Sequence, residues 1–156
     1  MNTSACCFTG HRHLPVKNIQ RILMNLDREI EKCIAEGVTT FVCGGALGFD
    51  QIAASLVITK KEMGKKIRLV FALPCKNQEK LWNTKEKTLY RTLLKEADDI
   101  IYVSENYDLS CMSKRNCYMV EYSAYCICAL LNEKSGTGQT VRYAQERGLT
   151  VINIAE

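Results

Sequence analysis

The sequence predicts an α/β fold built on a doubly wound, mostly parallel sheet with helices on both faces. Short apolar runs alternate with longer amphipathic stretches along the chain, which is the pattern of strands joined by crossover helices. The apolar runs are continuous instead of alternating with polar residues, as expected for strands buried on both faces. A length of 156 residues is the usual size of one domain, so we expect residues 1–156 to form a single domain.

The first half of the chain shows two strand–helix units. An apolar run over 5–8 precedes a helix over 16–36, whose apolar residues recur at helical spacing until Gly37 ends it. A β-branched strand over 38–43 precedes a helix over 49–63, which a glycine again ends.

The second half continues this alternation. A strand over 67–73 ends at Pro74 and leads to a helix over 77–97 with Asn77 as its predicted cap. The remaining predicted elements are a strand over 100–103, a helix over 113–122, a strand over 125–131, a helix over 137–147 and a closing strand over 151–154.

The composition narrows the functional classes. The net charge is only +4, and the lysines are interleaved with acidic residues, which is typical of a solvated face. With one tryptophan and no aromatic–basic run, nucleic acid is disfavoured as a partner. The lysines interleaved with acidic residues are Lys60, Lys61, Lys65, Lys66, Lys76, Lys80, Lys85 and Lys87.

The nine cysteines predict reduced thiols in a cytoplasmic protein. The sequence shows no signal peptide, no run of about 18 apolar residues and no CxxC pair, so neither a membrane span nor a zinc ribbon is expected. Several cysteines lie in apolar runs, where they serve as small hydrophobic residues. His11 and His13 near Cys6 and Cys7 match no usual ligand spacing, so no metal site and no cofactor are predicted.

Function is expected in the loops that follow the strands, because doubly wound sheets bind ligands at the carboxyl ends of their strands. The first such loop is Thr9-Gly10-His11-Arg12, in which backbone amides can meet an anion and Arg12 can bind phosphate. An ordinary turn with a surface arginine is the alternative.

The second loop holds three glycines, Gly44, Gly45 and Gly48, directly after a strand. Their density indicates close approach of the backbone to a ligand, although the pattern is neither G-x-G-x-x-G nor a P-loop. Asp50 is placed either to accept hydrogen bonds from ribose or to complement the helix dipole.

Three further segments complete the predicted edge. Pro74 is followed by Gln78 and Trp82, which would share a helical face as a wall for a base or sugar, with core packing as the alternative for Trp82. Arg115 and Asn116 lie near the start of a helix at the rim of the sheet, where Arg115 would hold phosphate. Gly136 and Thr137 stand where a helix N-terminus forms an anion-binding nest.

Together these segments resemble the SLOG superfamily, and most closely its YpsA-like branch of small bacterial proteins. The resemblance rests on Thr9-Gly10-His11-Arg12, Gly44-Gly45-Ala46-x-Gly48-x-Asp50, Leu73-Pro74 with Gln78 and Trp82, Arg115-Asn116-x-x-Met119, and Gly136-Thr137 followed by Tyr143-Ala144. It implies a Rossmann-like domain that binds a nucleotide or ADP-ribose-like ligand as a sensor or ligand-binding domain. It also implies a homodimer as the expected assembly.

Two other functions stay open from the same resemblance. LONELY GUY phosphoribohydrolases share Met112-x-x-Arg115-x-x-x-Met119, but Gln139 stands here where they carry a glutamate. Since cleavage of a ribosyl bond usually needs a carboxylate to orient water, this departure disfavours N-glycosidic hydrolysis, unless Glu121 or Glu133 substitutes. The core of DNA-processing protein A resembles the chain at Arg115-Asn116, which keeps single-stranded DNA binding as a further alternative. The catalytic residues, if any, stay unassigned.

Overall fold

The computed structural model describes residues 2–156, in which five helices and six strands alternate. The strands are β1 (Asn2–Gly10), β2 (Thr40–Cys43), β3 (Arg68–Leu73), β4 (Asp99–Tyr102), β5 (Ser123–Ala129) and β6 (Thr150–Asn153). The helices are α1 (Val16–Ala35), α2 (Phe49–Glu62), α3 (Thr84–Lys95), α4 (Cys111–Tyr122) and α5 (Gly136–Glu146).

The strands form one sheet in the order β4-β3-β2-β1-β5-β6, and all its described pairs are parallel. The chain enters at β1 and adds β2, β3 and β4 on one side. It then returns to add β5 and β6 on the other side. Chain direction across the sheet therefore reverses between β1 and β5, which is the switch point where such folds bind ligands. The predicted doubly wound α/β fold is confirmed.

Both faces of the sheet are covered by helices. Cys6 and Phe8 of β1 pack into a core with α1, α2 and α3, whereas Cys7 packs into a second core with α4 and α5. Successive side chains of a strand point to opposite faces, so a strand buried on both sides needs apolar residues throughout. This explains the continuous apolar runs of the sequence.

The cysteines contribute to these cores as small apolar residues. All nine are free thiols, and eight of them are buried, Cys117 being the half-buried exception. Burial raises the pKa of the Cys43 and Cys128 thiols, which disfavours the reactive thiolate there.

The start of α3 differs from the prediction. The helix begins at Thr84, and Asn83 caps it: the Asn83 side chain accepts from the Glu86 N–H at 2.8 Å, and the Asn83 N–H donates to the Glu86 carboxylate at 3.0 Å. This reciprocal capping box fixes the first turn. The prediction of a helix from residue 77 with Asn77 as its cap was wrong, because residues 76–82 form turns and a bend.

Lys60 also departs from the prediction of a solvated lysine face. Its side chain is 8% exposed, and its ammonium donates to Asp27 of α1 and to Glu31 of α1, each at 2.7 Å. These ion pairs join α2 to α1 and raise the pKa of Lys60 against the opposing effect of burial.

Among the described residues, no helix is both long enough and apolar enough to cross a membrane.

Candidate functional site

A cavity of about 280 Å³ lies at the carboxyl ends of the strands beside the switch point, and we call it the switch-point cavity. Four segments surround it: the β1–α1 loop, the β2–α2 loop, α4 and the N-terminus of α5. Its lining includes eight predicted site residues, namely Thr9, Gly10, Arg12, Asp50, Arg115, Asn116, Gly136 and Thr137. It also includes His11, Ala46, Met112, Met119 and Ser135, of which the first four belong to the sequence motifs described above.

The β1–α1 and β2–α2 loops touch through backbone contacts that only glycine permits. A Cβ atom on Gly10 would overlap the ring of Phe49, and one on Gly48 would overlap the carbonyl of Arg12. Gly48 also has a φ of +83°, which disfavours a side chain. The Phe49 N–H donates to the His11 carbonyl at 3.1 Å across the same junction. Gly10 and Gly48 therefore hold the two loops together, and of the two only Gly10 also lines the cavity.

Arg12 presents the exposed cation of the cavity. Within residues 2–156 its guanidinium has no hydrogen bond or ion pair, although it lies close enough to Asp50 to lower the pKa of that carboxyl slightly. A free guanidinium at a cavity mouth suits a phosphate, which it can bind through two parallel N–H bonds.

His11 joins the first loop to the segment after β5, a role that sequence reasoning missed. Its Nε2 atom accepts from the Leu131 N–H at 2.9 Å and from the Asn132 N–H at 3.3 Å. An acceptor nitrogen must be unprotonated, and burial lowers the pKa of His11 accordingly. The neutral histidine thus links the loop after β1 to the segment after β5.

The described residues contain no group of three or more His, Cys, Asp or Glu side chains that could hold a metal ion.

Arg115 is buried at the base of the cavity, with 4% of its surface exposed. Its Nη1 atom donates to the Gly44 carbonyl at 2.5 Å, and its Nε atom donates to the Asn116 side chain at 2.8 Å. A longer contact of 3.5 Å reaches the Ala72 carbonyl at the end of β3. The guanidinium therefore ties α4 to the ends of β2 and β3 through Nε and Nη1, whereas its Nη2 atom contacts only the Met112 sulfur, at 3.6 Å.

Asp50 is the second buried charge, with 5% of its surface exposed. Its carboxylate accepts from the Ala46 N–H at 3.3 Å. Burial raises the pKa of Asp50 to about 6, and the nearby Arg115 charge opposes that rise. A Cβ atom on Gly44 would lie 2.5 Å from Arg115 Nη1 and 2.9 Å from Asp50 Oδ2, so Gly44 makes room for both charges.

The raised pKa of Asp50 predicts a pH-dependent stability that Asp50→Asn removes. Because the folded-state pKa lies above the ordinary 3.8, this group's contribution is full below pH 3.8 and is lost as the pH rises through about 6. Between about pH 5 and about pH 7.5 the wild type should lose about 1.4 kcal/mol more unfolding free energy than Asp50→Asn. Urea denaturation at both pH values measures this difference. Asp99→Asn, which removes an exposed carboxyl, is the control, and equal pH slopes in wild type and Asp50→Asn would contradict the assignment.

The N-terminus of α5 closes the cavity with backbone amides. The Ser135 hydroxyl caps the helix by accepting from the Gly138 N–H at 3.1 Å, while a Cβ atom on Gly138 would overlap the Glu133 carbonyl. The amides of Gly136 and Thr137 stand ahead of the first intrahelical bond and have no partner within the helix. Their free N–H groups and the positive end of the helix dipole favour an anion.

Gln78 and Trp82 line a different cavity, of about 620 Å³, which we call the Trp82 cavity. It meets the switch-point cavity at Arg12 and Met112, which line both. Since these residues lie outside α3, the predicted sharing of a helical face was wrong, although both line this cavity. Trp82 also packs against the core, with its ring 5.0 Å from that of Tyr90.

The other predicted residues of this edge lie apart from both cavities. Gly44, Gly45, Gly48 and Pro74 line neither of them. Burial raises the pKa of the neighbouring Cys75 thiol, which disfavours a reactive cysteine in that loop.

The residues weighed for catalysis lie outside the switch-point cavity. Gln139 lines a neighbouring hollow of about 240 Å³ together with Cys117. Glu121 accepts a hydrogen bond from the Tyr143 hydroxyl at 2.7 Å, and the Glu133 side chain lines none of these three cavities. Within the described chain, Asp50 is the only carboxyl group in the switch-point lining.

A comparison with family models decides the relationship that these loops indicate. The YspA SLOG family model matches residues 6–149, which is nearly the whole chain. The chain belongs to this family. The predicted SLOG resemblance and its YpsA-like branch are therefore confirmed.

Two curated relatives of this SLOG protein are similar in sequence. The uncharacterized SPbeta prophage-derived protein YoqJ of Bacillus subtilis is 34% identical over 130 residues, covering 75% of this chain and 76% of YoqJ. A UPF0398 protein of Halalkalibacterium halodurans is 30% identical over 89 residues, covering 57% of this chain and 46% of that protein.

Two solved structures share the fold of this SLOG protein. DNA processing protein A from Helicobacter pylori, which binds single-stranded DNA, superposes with a TM-score of 0.67 at 22% identity. DNA processing protein A from Streptococcus pneumoniae superposes with a TM-score of 0.65 at 16% identity. Both comparisons cover 96% of this chain, which spans 64% and 49% of those chains. At these identities the likeness shows the fold alone.

Proposed function

We propose that this SLOG protein binds a nucleotide or ADP-ribose-like phosphorylated ligand in the switch-point cavity, as a sensor or ligand-binding domain. The observation that carries the proposal is the convergence of the unpartnered Arg12 guanidinium and the free amides at the start of α5 on one cavity. Both groups favour phosphate. The buried Arg115 adds positive charge beneath them, and the Asp50 carboxyl offers acceptors for ribose hydroxyls.

The roles of the two arginines differ in this proposal. Arg12 contacts the phosphate directly, because its guanidinium is exposed and has no partner in the described chain. Arg115 contributes through its charge and by holding the Gly44 carbonyl, since its Nε and Nη1 atoms already donate to Asn116 and Gly44. The sequence pattern pointed to both as phosphate ligands, and the structure favours Arg12 for that contact.

A thermal-shift screen against nucleotides, ADP-ribose, NAD and ribose 5-phosphate tests the proposal. A ligand at a hundred times its dissociation constant should add roughly 2.7 kcal/mol to the unfolding free energy. Failure of the whole panel to raise the melting temperature would contradict the proposal.

Arg12→Ala is expected to weaken binding of the best ligand about 10- to 100-fold, the value of a charge-assisted bidentate contact. The unliganded melting temperature should stay nearly unchanged, because the side chain supports no other group. Isothermal titration calorimetry measures the affinity. Arg21→Ala, which removes an exposed arginine of α1, is the matched control for net charge. Equal losses in the two variants would indicate a general electrostatic effect instead of a contact.

A hydrolytic function for the same site rests on Asp50. With a pKa of about 6, this carboxyl exchanges a proton near neutral pH, as a general base or acid must. It therefore replaces Gln139, Glu121 and Glu133 as the candidate for N-glycosidic cleavage. Release of free base from a nucleoside 5′-monophosphate by the wild type, and its loss in Asp50→Asn, would support hydrolysis over binding alone.

Single-stranded DNA binding is the polymer alternative, and the Helicobacter pylori neighbour favours it. The modest net charge of this chain favours a small ligand instead. An oligonucleotide affinity that falls steeply with salt would support DNA as the partner.

A further inference from the structure

The Trp82 cavity adjoins the switch-point cavity. Its lining is rich in apolar and aromatic side chains, including Leu47, Trp82, Tyr107 and Met112. Arg12 and Met112 line both cavities, so a phosphate at Arg12 would lie at the border of the Trp82 cavity.

The Trp82 wall is held in place by a chain of contacts. The Trp82 ring meets the Tyr90 ring edge-on, with 71° between their planes. The Tyr90 hydroxyl in turn accepts from the Gln78 amide at 2.9 Å, and the same amide reaches the Gly44 carbonyl at 3.4 Å. Because Gly44 also accepts from Arg115, this aromatic wall is connected to the base of the switch-point cavity. An aromatic face fixed in this way is preorganised for stacking.

Gln78 adds a polar group to that wall. A carbonyl only accepts, so the end of the Gln78 amide that faces Gly44 must be its NH₂ group, which fixes the amide orientation. The Oε1 atom is buried and has no donor within the described chain, and the side chain as a whole is nine-tenths buried. A buried acceptor without a donor is costly, and an N–H group from a ligand would supply one.

We propose that the Trp82 cavity is the subsite for the nucleobase of the ligand, with the base against Trp82 and an N–H group directed at Gln78. This assignment rests on the proposed binding of a nucleotide-like phosphate at Arg12. Planar rings that carry N–H donors, such as adenine, guanine and cytosine, combine the two features that the wall requires: a stacking face and a hydrogen-bond donor. The ligand then spans both cavities, and Met112 lies at the boundary between them.

Trp82 is the only tryptophan of the chain, so its fluorescence reports directly on this cavity. The experiment titrates the 156-residue chain with AMP, adenosine and ribose 5-phosphate, and follows tryptophan emission and melting temperature in parallel. We expect AMP to change both signals. Ribose 5-phosphate should raise the melting temperature and leave the emission unchanged.

Substitutions of Trp82 distinguish the contribution of the base contact to the affinity from that of the phosphate contact. Trp82→Ala should weaken AMP binding about tenfold or more in calorimetry, in line with base–aromatic stacking, and change ribose 5-phosphate binding less than about twofold. Trp82→Phe should retain most of the AMP affinity, and Met63→Ala, an exposed change at the end of α2, should retain all of it.

The outcomes distinguish the two proposals. If AMP raises the melting temperature but leaves tryptophan emission unchanged, the base lies elsewhere and the subsite is overturned, while the proposed function stands. If no phosphorylated compound alters either signal, both proposals fail. An equal loss of AMP and ribose 5-phosphate affinity in Trp82→Ala would also overturn the subsite, because it would indicate a structural role for Trp82.

Discussion

Replacing Arg115 by alanine is expected to lower the free energy of unfolding by about 3–5 kcal/mol, the cost of removing one member of a buried charged network. The substitution leaves the Gly44 carbonyl with only the weaker bond from Gln78. It also removes the charge that lowers the pKa of Asp50, so the buried carboxyl becomes harder to ionise. Urea denaturation at neutral pH measures the loss.

Companion variants separate the charge from the hydrogen bonds. Arg115→Lys should lower the free energy of unfolding less than Arg115→Ala does, because the ammonium keeps the positive charge. It should still be less stable than the wild type, because lysine lacks the planar fork that reaches Gly44 and Asn116. The double variant Arg115→Ala/Asp50→Asn should be at least about 1 kcal/mol more stable than the sum of the two single losses of unfolding free energy predicts, because it leaves no unpaired charge buried. Strict additivity would show that the two groups do not interact.

The fold was predictable because it depends on local pattern. Apolar runs without alternation marked the strands buried on both faces, and Gly37, Gly64 and Gly148 marked three helix ends. The true start of α3 is also marked by a local signal in the sequence, which the prediction overlooked. Asn83 and Glu86 form an N-x-x-E capping box, a stronger start signal than Asn77, which has no such partner.

The position of the candidate site was predictable for a similar reason, whereas the contacts within it were not. Parallel strands place all their following loops at one edge, so Thr9, Asp50 and Gly136 had to lie near one another. The division of the edge into two cavities depends on contacts between distant segments. Arg115 reaches Gly44 across 71 positions and His11 reaches Leu131 across 120, and no local pattern records such contacts.

Burial explains the charged side chains whose surroundings differ from those that the sequence predicted. Spacing along a helix shows which face a residue occupies, but it does not show whether a charge there is solvated. Lys60 and Arg115 are both on helices, and each is less than one-tenth exposed because an opposing segment supplies its partners. For this reason the sequence predicted Lys60 as solvated, and it did not show that Arg115, predicted to hold phosphate, is buried.

Gly48→Ala is expected to reduce the free energy of unfolding by about 3 kcal/mol or more, and to weaken ligand binding as well. Gly48 has φ +83° and ψ −124°, a region that residues with a side chain rarely occupy at a cost of about 1–3 kcal/mol. The added methyl group would also overlap the Arg12 carbonyl, so the β1–α1 loop must move. Displacement of that backbone carries the Arg12 side chain away from the proposed phosphate position.

Gly148→Ala provides the matched control, because it separates backbone conformation from steric overlap. Gly148 has nearly the same φ, +82°, but nothing lies within 4 Å of the Cβ position there. Its substitution should therefore cost only about 1–2 kcal/mol, the penalty of a left-handed conformation, and leave ligand affinity unchanged. Equal destabilisation by the two variants would show that the contact between Gly48 and Arg12 contributes nothing. Arg12→Ala completes the comparison: if Gly48 acts by positioning the loop, Gly48→Ala loses stability and binding together, whereas Arg12→Ala loses binding alone.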